Sequence, residues 1–254
     1  MQNYSIGLSG LNAAYAALDA VGNNIANAST EGYHRQRVDF APAGSVQSVG
    51  LSVGGGVEVA GLTRMVNELL ETEMVRQESS YGQISQELST LSSVETSFGE
   101  FGDEGGLNAT IDAFFDALRG LAAHPLENVW RNATVSAGQV LASEFRRLGT
   151  SLAEVENQIV MEAQNTADSI NQLDGQIAEV NSKIQMVEIN GGQANNLRDR
   201  RDQLIVELSK LARVETQERD YGVVDVSIAG LPVVTGAIPV DMEVRLDGDN
   251  RLAV

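Results

Sequence analysis

Apolar positions in the first thirty residues recur at helical spacing. Leu8, Leu11, Tyr15, Leu18, Gly22 and Ile25 are separated by steps of 3, 4, 3, 4 and 3, the seam of a coiled coil. The positions between them are mostly Ala, Asn, Ser and Gly, and Asp19 is the charged residue of Met1–Thr30. A helix with so narrow an apolar stripe and no ion pairs is marginal on its own. It either packs on its own domain or waits for a partner helix. The second alternative predicts a segment that orders when that partner is supplied. A secretory signal peptide is excluded by the lack of a basic start and of a continuous apolar run.

The pattern then changes several times. Alternation from Tyr33 through Val38 and Phe40 predicts a short strand, and Val53, Val57 and Val59 suit further strands around a glycine-rich stretch, Gly44–Gly61. That stretch lacks the Lys-Ser/Thr and the flanking elements of a phosphate loop. Thr63–Phe98 reads as a helix through Leu69, Leu70, Ile84, Leu88, Leu91, Val94 and Phe98, with a weak point at Tyr81-Gly82. Gly99–Gly106 breaks it, with Asp103 and Glu104 in a solvated loop. Asn108–Ala122 is a shorter helix with Asn108 as its N-cap; Ile111, Phe114, Phe115, Leu118 and Leu121 face inward, and His124-Pro125 ends it.

The longest element runs from about Asn128 to Ile189. Its seam is Leu141, Phe145, Leu148, Leu152, Val155, Ile159, Ala163, Thr166, Ile170, Leu173, Ile177, Val180, Ile184 and Val187. An extra step of 4 near Ala163 is a stutter. About sixty residues at ~1.5 Å rise give a rod of about 90 Å, and Asn190-Gly191-Gly192 terminates it. Asn195–Leu211 is a last helix carrying Leu197, Leu204, Ile205, Leu208 and Leu211, with Arg198–Asp202 as a surface pair. Beyond Ala212 the period becomes that of strands: Val224, Val226 and Ile228 alternate with Val223, Asp225 and Ser227, and Leu231–Val234 and Val240–Leu246 follow. Asp247-Gly248-Asp249-Asn250 departs from a calcium loop and reads as a tight turn.

Composition narrows the function. The 254 residues hold 17 Lys and Arg against 35 Asp and Glu, a net charge of −18. Phosphate backbones repel such a chain, so no nucleic-acid partner is expected. No apolar run is long enough for a membrane span, so no membrane partner is expected either. Cysteine is absent and there are two histidines, His34 and His124, ninety positions apart, each read as a surface or cap residue. None of the H-E-x-x-H, G-x-S-x-G or S-x-x-K patterns occurs. No catalytic, metal or cofactor site is expected, and the chain reads as a non-enzyme.

Ser9-Gly10-Leu11-Asn12-Ala13-Ala14, followed by the run from Gly22 that holds Asn23, Asn24, Ile25, Asn27, Gly32 and Tyr33, resembles the N-terminal signature of bacterial flagellar axial proteins. Within that superfamily, Gly32-Tyr33 followed by Arg35-Gln36 is most similar to the hook-associated protein 1 family. The run Ile170-Asn171-Gln172-Leu173 through Gln176-Ile177-Ala178, Val180-Asn181 and Ile184 resembles the I-N-x-L…Q-I-A-x-L-N-x-x-I run of that family. Asn195-Asn196-Leu197, Asp199, Arg201-Asp202-Gln203-Leu204 and Glu207-Leu208 resemble its N-x-L-x-D-x-R-D-x-L-x-x-E-L motif.

The resemblance implies a mainly α, elongated fold: a coiled-coil-like bundle of long helices, an N-terminal axial helix and a small C-terminal β-rich region. It divides as 1–61, axial helix and connector; 62–212, helical bundle; and 213–254, the start of a β-rich domain. The family's closing C-terminal helix has no counterpart, which suggests a truncated product. The implied function is that of a structural subunit at the hook–filament junction; the alternatives are another flagellar axial protein, hook or rod, against which the long helix after the N-terminal motif argues, and a flagellum-associated enzyme, for which no carboxylate cleft is displayed. Leu8, Leu11, Tyr15, Leu18 and Ile25 would form its assembly interface. Implied partners are further subunits, the hook protein, the filament-side hook-associated protein and the flagellar type III export apparatus. The implied location is the extracellular flagellum, reached without a cleaved signal peptide.

Overall fold

A computed structural model describes residues 2–44, 46–48, 51–98, 106–246 and 252–253. The fold is mainly α. Its helices are α1 (Gln2–Ala26), α2 (Glu68–Phe98), α3 (Leu107–Ala123), α4 (Asn128–Ile189) and α5 (Asn195–Ser209). Strands β1 (Gln36–Pro42), β2 (Val46–Ser48), β3 (Leu51–Val53) and β4 (Val57–Arg64) lie between α1 and α2. After α5 come β5 (Val214–Glu218), β6 (Val224–Ile228), β7 (Leu231–Thr235), β8 (Ile238–Pro239), β9 (Arg245–Leu246) and β10 (Leu252–Ala253). Two compact units result. One comprises Met1–Tyr81 with Ser169–Met242, the other Gly82–Asp168 with Glu243–Val254.

The first unit has a core of aliphatic side chains between the last turns of α4, α5 and an antiparallel meander, β5-β6-β7-β8. Strand β6 alternates as the sequence predicts, with Val224, Val226 and Ile228 buried. They meet Ile170, Ile177, Leu204 and Leu208. Two amides on α4 replace strand partners for the chain packed against it. Asn181 donates to the carbonyls of Val224 and Gly236, each at 2.7 Å, and accepts from the Val224 N–H at 3.3 Å. Asn171 donates to Met242 O at 2.9 Å and accepts from Met242 N–H at 2.8 Å. Asp174, three residues beyond Asn171, is 1% exposed and neither carboxyl oxygen has a partner. Burial pushes its pKa up to about 7. Helix α4 ends where predicted: Gly191 takes φ +77°, and the N–H groups of Gly191 and Gly192 donate to Glu188 O and Val187 O, both at 3.0 Å.

A second, two-stranded ribbon in the same unit pairs β1 with β4, and α1 packs against it. In the other unit Thr134 of α4 donates to Ala117 O of α3 at 3.2 Å, and Trp130 stacks on His124 with centroids 5.3 Å apart. Leu148 is buried there, and β9 pairs with β10.

Several expectations change. Thr63 and Arg64 belong to β4, because they pair with Arg37 and Gln36, and α2 begins at Glu68. Helix α2 passes unbroken through Tyr81-Gly82. Its stripe residues Leu69, Leu70, Ile84, Leu88 and Leu91 are exposed, while Val75 packs on the core and Ser79 donates to Ala212 O at 3.1 Å. Gly106, not Asn108, is the N-cap of α3, and Asn108 lies inside the helix. Phe115, Phe145, Leu152, Val187 and Leu211 are exposed rather than inward. Of Val240–Leu246 only Arg245–Leu246 is a strand. The predicted loop at Asp103 and Glu104 and the predicted turn at 247–250 lie outside the described residues.

Truncating Ile177 to Ala, fully buried on α4, is expected to cost about 2–5 kcal/mol of stability. Glu179→Ala, on the exposed side of the same helix, removes only an ion pair to Lys183 and should shift stability by less than about 0.5 kcal/mol. Urea denaturation of the two variants measures the contrast. A second expectation concerns pH. Asp174 keeps its proton up to about pH 7 when folded, against 3.8 for an ordinary aspartate. Between those values the folded state holds one proton more than the unfolded state, so stability falls as pH rises. Asp174→Asn should remove that part of the slope in denaturation curves recorded from pH 4 to pH 8.

Candidate functional site

Helix α1 is two-faced, and its faces are the reverse of an ordinary surface helix. Ala13 and Ala20 are buried, and Ile6, Ser9, Ala16, Ala17, Asn24 and Asn27 are half-buried. This small-residue face lies toward the β1–β4 ribbon. Small side chains allow the helix and the ribbon to approach closely, and Ser9 Oγ accepts from Val57 N–H at 3.2 Å. The large apolar stripe points the other way. Leu8, Leu11, Tyr15, Leu18 and Ile25 are 45–72% exposed. Within residues 1–254 the expected assembly stripe is exposed.

The end of α1 is shaped by its asparagines. Asn23 and Asn27 donate to the carbonyls of Asp19 and Asn23, at 3.1 and 3.0 Å, and Thr30 donates to Asn27 Oδ1 at 3.2 Å. Asn24 turns inward. It exchanges two bonds with the backbone of Gln36, both 2.8 Å, and accepts from the Tyr33 hydroxyl at 2.9 Å. Burial, and then the charge of Asp199, raise the pKa of Tyr33. Gly32 has φ +70°, and a Cβ there would collide with the Gln203 side chain, which donates to Glu31 O. Arg35 contributes its backbone carbonyl to Met65 N–H at 2.8 Å, and its side chain is exposed.

The two motifs separated by some 160 positions meet here. The partners of the N-terminal motif come from α5 and the turn before it. Gln36 donates to Asn196 at 3.1 Å, Leu62 N–H donates to Gln193, and Asn195 donates to Leu62 O. The buried carboxylate of Asp199 accepts from the His34 backbone N–H at 3.2 Å and from Arg64 at 2.9 Å, and its Oδ1 lies 2.8 Å from His34 Nδ1. Arg64 also reaches Asp202 at 2.6 Å, and His34 Nε2 lies 3.2 Å from Glu71 of α2. Arg201, almost fully buried, donates to Gly222 O at 2.5 Å. Its burial lowers its pKa, partly offset by Asp202. Arg198 pairs with Glu188 at 2.7 Å and with Glu218 at 3.2 Å, not with Asp202 as the spacing suggests. Its hydrogen bond holds the Glu188 carboxyl below its usual range.

This arrangement joins elements; it does not converge on a reacting centre. The two nitrogens of His34 address different carboxylates on opposite edges of the ring. Among the described residues no group of three or more His, Asp or Glu side chains is placed to hold a metal ion. Sequence reasoning read His34 as a surface or cap residue and gave Arg64 no part. Asp199 carried a motif position without a partner. Only the fold supplies the long-range pairing.

Residues 91–253 match the family described as flagellar hook-associated protein FlgK helical domain, and residues 5–34 match the flagella basal body rod protein family. Flagellar hook-associated protein 1 of Bacillus subtilis is 32% identical over 219 residues, 84% of this chain and 43% of that protein. The protein of the same name from Salmonella typhimurium is 29% identical over 233 residues, 91% of this chain and 42% of that protein. The chain thus spans less than half the length of these relatives. Flagellar hook protein FlgE of Salmonella typhimurium is 45% identical over 62 residues, 24% of this chain and 14% of that protein. The structure of the flagellar hook junction protein FlgK from Burkholderia pseudomallei shares the fold over 71% of this chain and 31% of its own, with a TM-score of 0.57 at 21% identity.

Asp199→Ala would leave Arg64 and His34 facing no carboxylate at that position. Removing one member of such a buried charged group is expected to destabilise by about 3–5 kcal/mol. Arg200→Ala, at the exposed next position, should stay within about 0.5 kcal/mol of the unaltered protein. Chemical denaturation followed by circular dichroism distinguishes the two.

Proposed function

The chain belongs to the flagellar hook-associated protein FlgK family, and on that premise we propose that it is a structural subunit of the junction between flagellar hook and filament. Its work is packing, not catalysis. The observation that carries this reading is the uncovered seam of Leu8, Leu11, Tyr15, Leu18 and Ile25 on α1. Apolar side chains at coiled-coil spacing gain about 1.5–3 kcal/mol each when buried, and helices of neighbouring subunits would supply the covering surface. The similarity to the hook protein is confined to about 62 residues. A short segment shared with another axial protein supports a shared mode of assembly.

In this reading hook protein lies on one side of the subunit and the filament-side hook-associated protein on the other. The motif residues Asn23, Asn24, Asn27, Gly32, Tyr33 and Gln36 act by fixing α1 on the ribbon, so that the stripe is presented outward. The subunit leaves the cell through the flagellar type III export apparatus, without a cleaved signal peptide. It binds neither nucleic acid nor membrane; the charge of −18 supports the first. No helix among the described residues is long and apolar enough to cross a membrane.

The test is motility of the source organism with its chromosomal copy altered. Leu11→Ser with Leu18→Ser should abolish swimming and filaments while the altered protein still reaches the medium. Swimming at the unaltered rate would count against the stripe as the assembly surface. Asp19→Asn, on the same helix but outside the stripe, is the control and should swim normally.

A further inference from the structure

Among the described residues, the two oxygens of Asp174 are the buried side-chain polar atoms that no hydrogen bond reaches. Their position makes this costly. Asp174 lies on α4 between Ile170 and Ile177, both in the aliphatic core of the first unit. The two asparagines that share its side of that helix, at i−3 and i+7, are already spent. Asn171 uses both ends of its amide on the backbone of Met242. Asn181 uses both ends on Val224 and Gly236. A carboxyl placed there pays its desolvation without recovering a bond, in either protonation state. The raised pKa agrees with that placement. Elsewhere the unit is well supplied with bonds: Asp199, also an aspartate and nearly as buried, has an arginine and a histidine.

We infer that Asp174 is a built-in weak point that keeps the first unit easy to unfold, so that the chain can be drawn through its export channel in extended form. The inference rests on the reading that the protein leaves by the type III apparatus. A channel too narrow for a folded unit makes unfolding a step of export, and its rate falls as the folded state is stabilised. Stability lost at a side chain buried inside the subunit leaves its outer surface unchanged. Once outside, neighbouring subunits stabilise the folded state by mass action.

Two substitutions test it in the complete protein. Asp174→Asn keeps the volume and cannot ionise; Asp174→Ala removes the polar group. Each is expected to raise the melting temperature of the purified protein by about 2–8 °C. Each should lower the amount secreted per hour by flagellated cells at least twofold. Adding Leu208→Ala, a core truncation on α5, to Asp174→Ala should bring both values back toward those of the unaltered chain. An unchanged or lowered melting temperature in both single variants overturns the inference. So does a raised melting temperature with undiminished secretion, while leaving the export reading intact. Secretion that stays low in the double variant despite restored lability would mean that the carboxyl itself is needed, and also overturns it. Absence of secretion of the unaltered chain in cells whose export apparatus works would defeat the export reading, and this inference with it.

Discussion

The carboxylate of Asp199 is the contact on which the first unit depends. It projects from α5 and takes the backbone N–H of His34, sits against the ring of the same residue, and takes the guanidinium of Arg64 at the end of β4. One side chain thereby fixes the chain leaving α1, the ribbon on which α1 rests, and the approach to α2. A charge so deeply placed is tolerated only with full pairing, and that requirement works in both directions. The carboxylate needs the N-terminal segment as much as the segment needs it. Residues as far as 165 positions apart are thus held in one polar joint, and the aliphatic core between α4, α5 and the meander supplies the rigid backing.

That joint determines which way α1 faces. The helix could bury its leucines on the ribbon, and an amphipathic helix in a monomeric protein ordinarily would. Here Asn24 is committed to Gln36 and Tyr33, and Ser9 to Val57. These anchors lie on the alanine side. Rotating the helix to bury Leu11 and Leu18 would break them and would press large side chains into a space sized for Ala13 and Ala20. The polar anchors are individually modest in energy. Together they select an orientation that hydrophobicity alone disfavours.

Helical period is legible in the chain, and the side a helix buries is not. The boundaries of α4 could be read from its seam and from Asn190-Gly191-Gly192, because spacing and helix termination are local properties. On α1 and α2 the same kind of stripe was equally visible, yet it faces outward in both. A stripe specifies a surface to be covered without specifying what covers it. Asn181 and Asp174 fall in register with Ile170, Ile177 and Ile184, so the innermost face of α4 contains two polar positions that a search for apolar residues passes over. Helix α2 starts later than its period implies because Thr63 and Arg64 obey a pairing with residues 36 and 37, not their own propensity. The candidate site was readable as two motifs. Their meeting was not, since a separation of 165 positions between His34 and Asp199 leaves no local trace.

The ribbon of β1 and β4 has only two strands, so it has an edge on each side. Such edges ordinarily invite a further strand from another molecule, the first step toward fibrous aggregates. Both are occupied at one position by side-chain amides in place of backbone. Asn24 takes the N–H and the C=O of Gln36 on one strand, and Gln193 and Asn195 take those of Leu62 on the other. An amide presents a donor and an acceptor, as a peptide unit does, but it cannot be extended into another strand. A chain with a row of leucines exposed on one helix is already prone to cling to its neighbours. Closing the ribbon with asparagine and glutamine confines that tendency to the helical face, where association is ordered by side-chain spacing, and denies it to the backbone, where it would be indiscriminate.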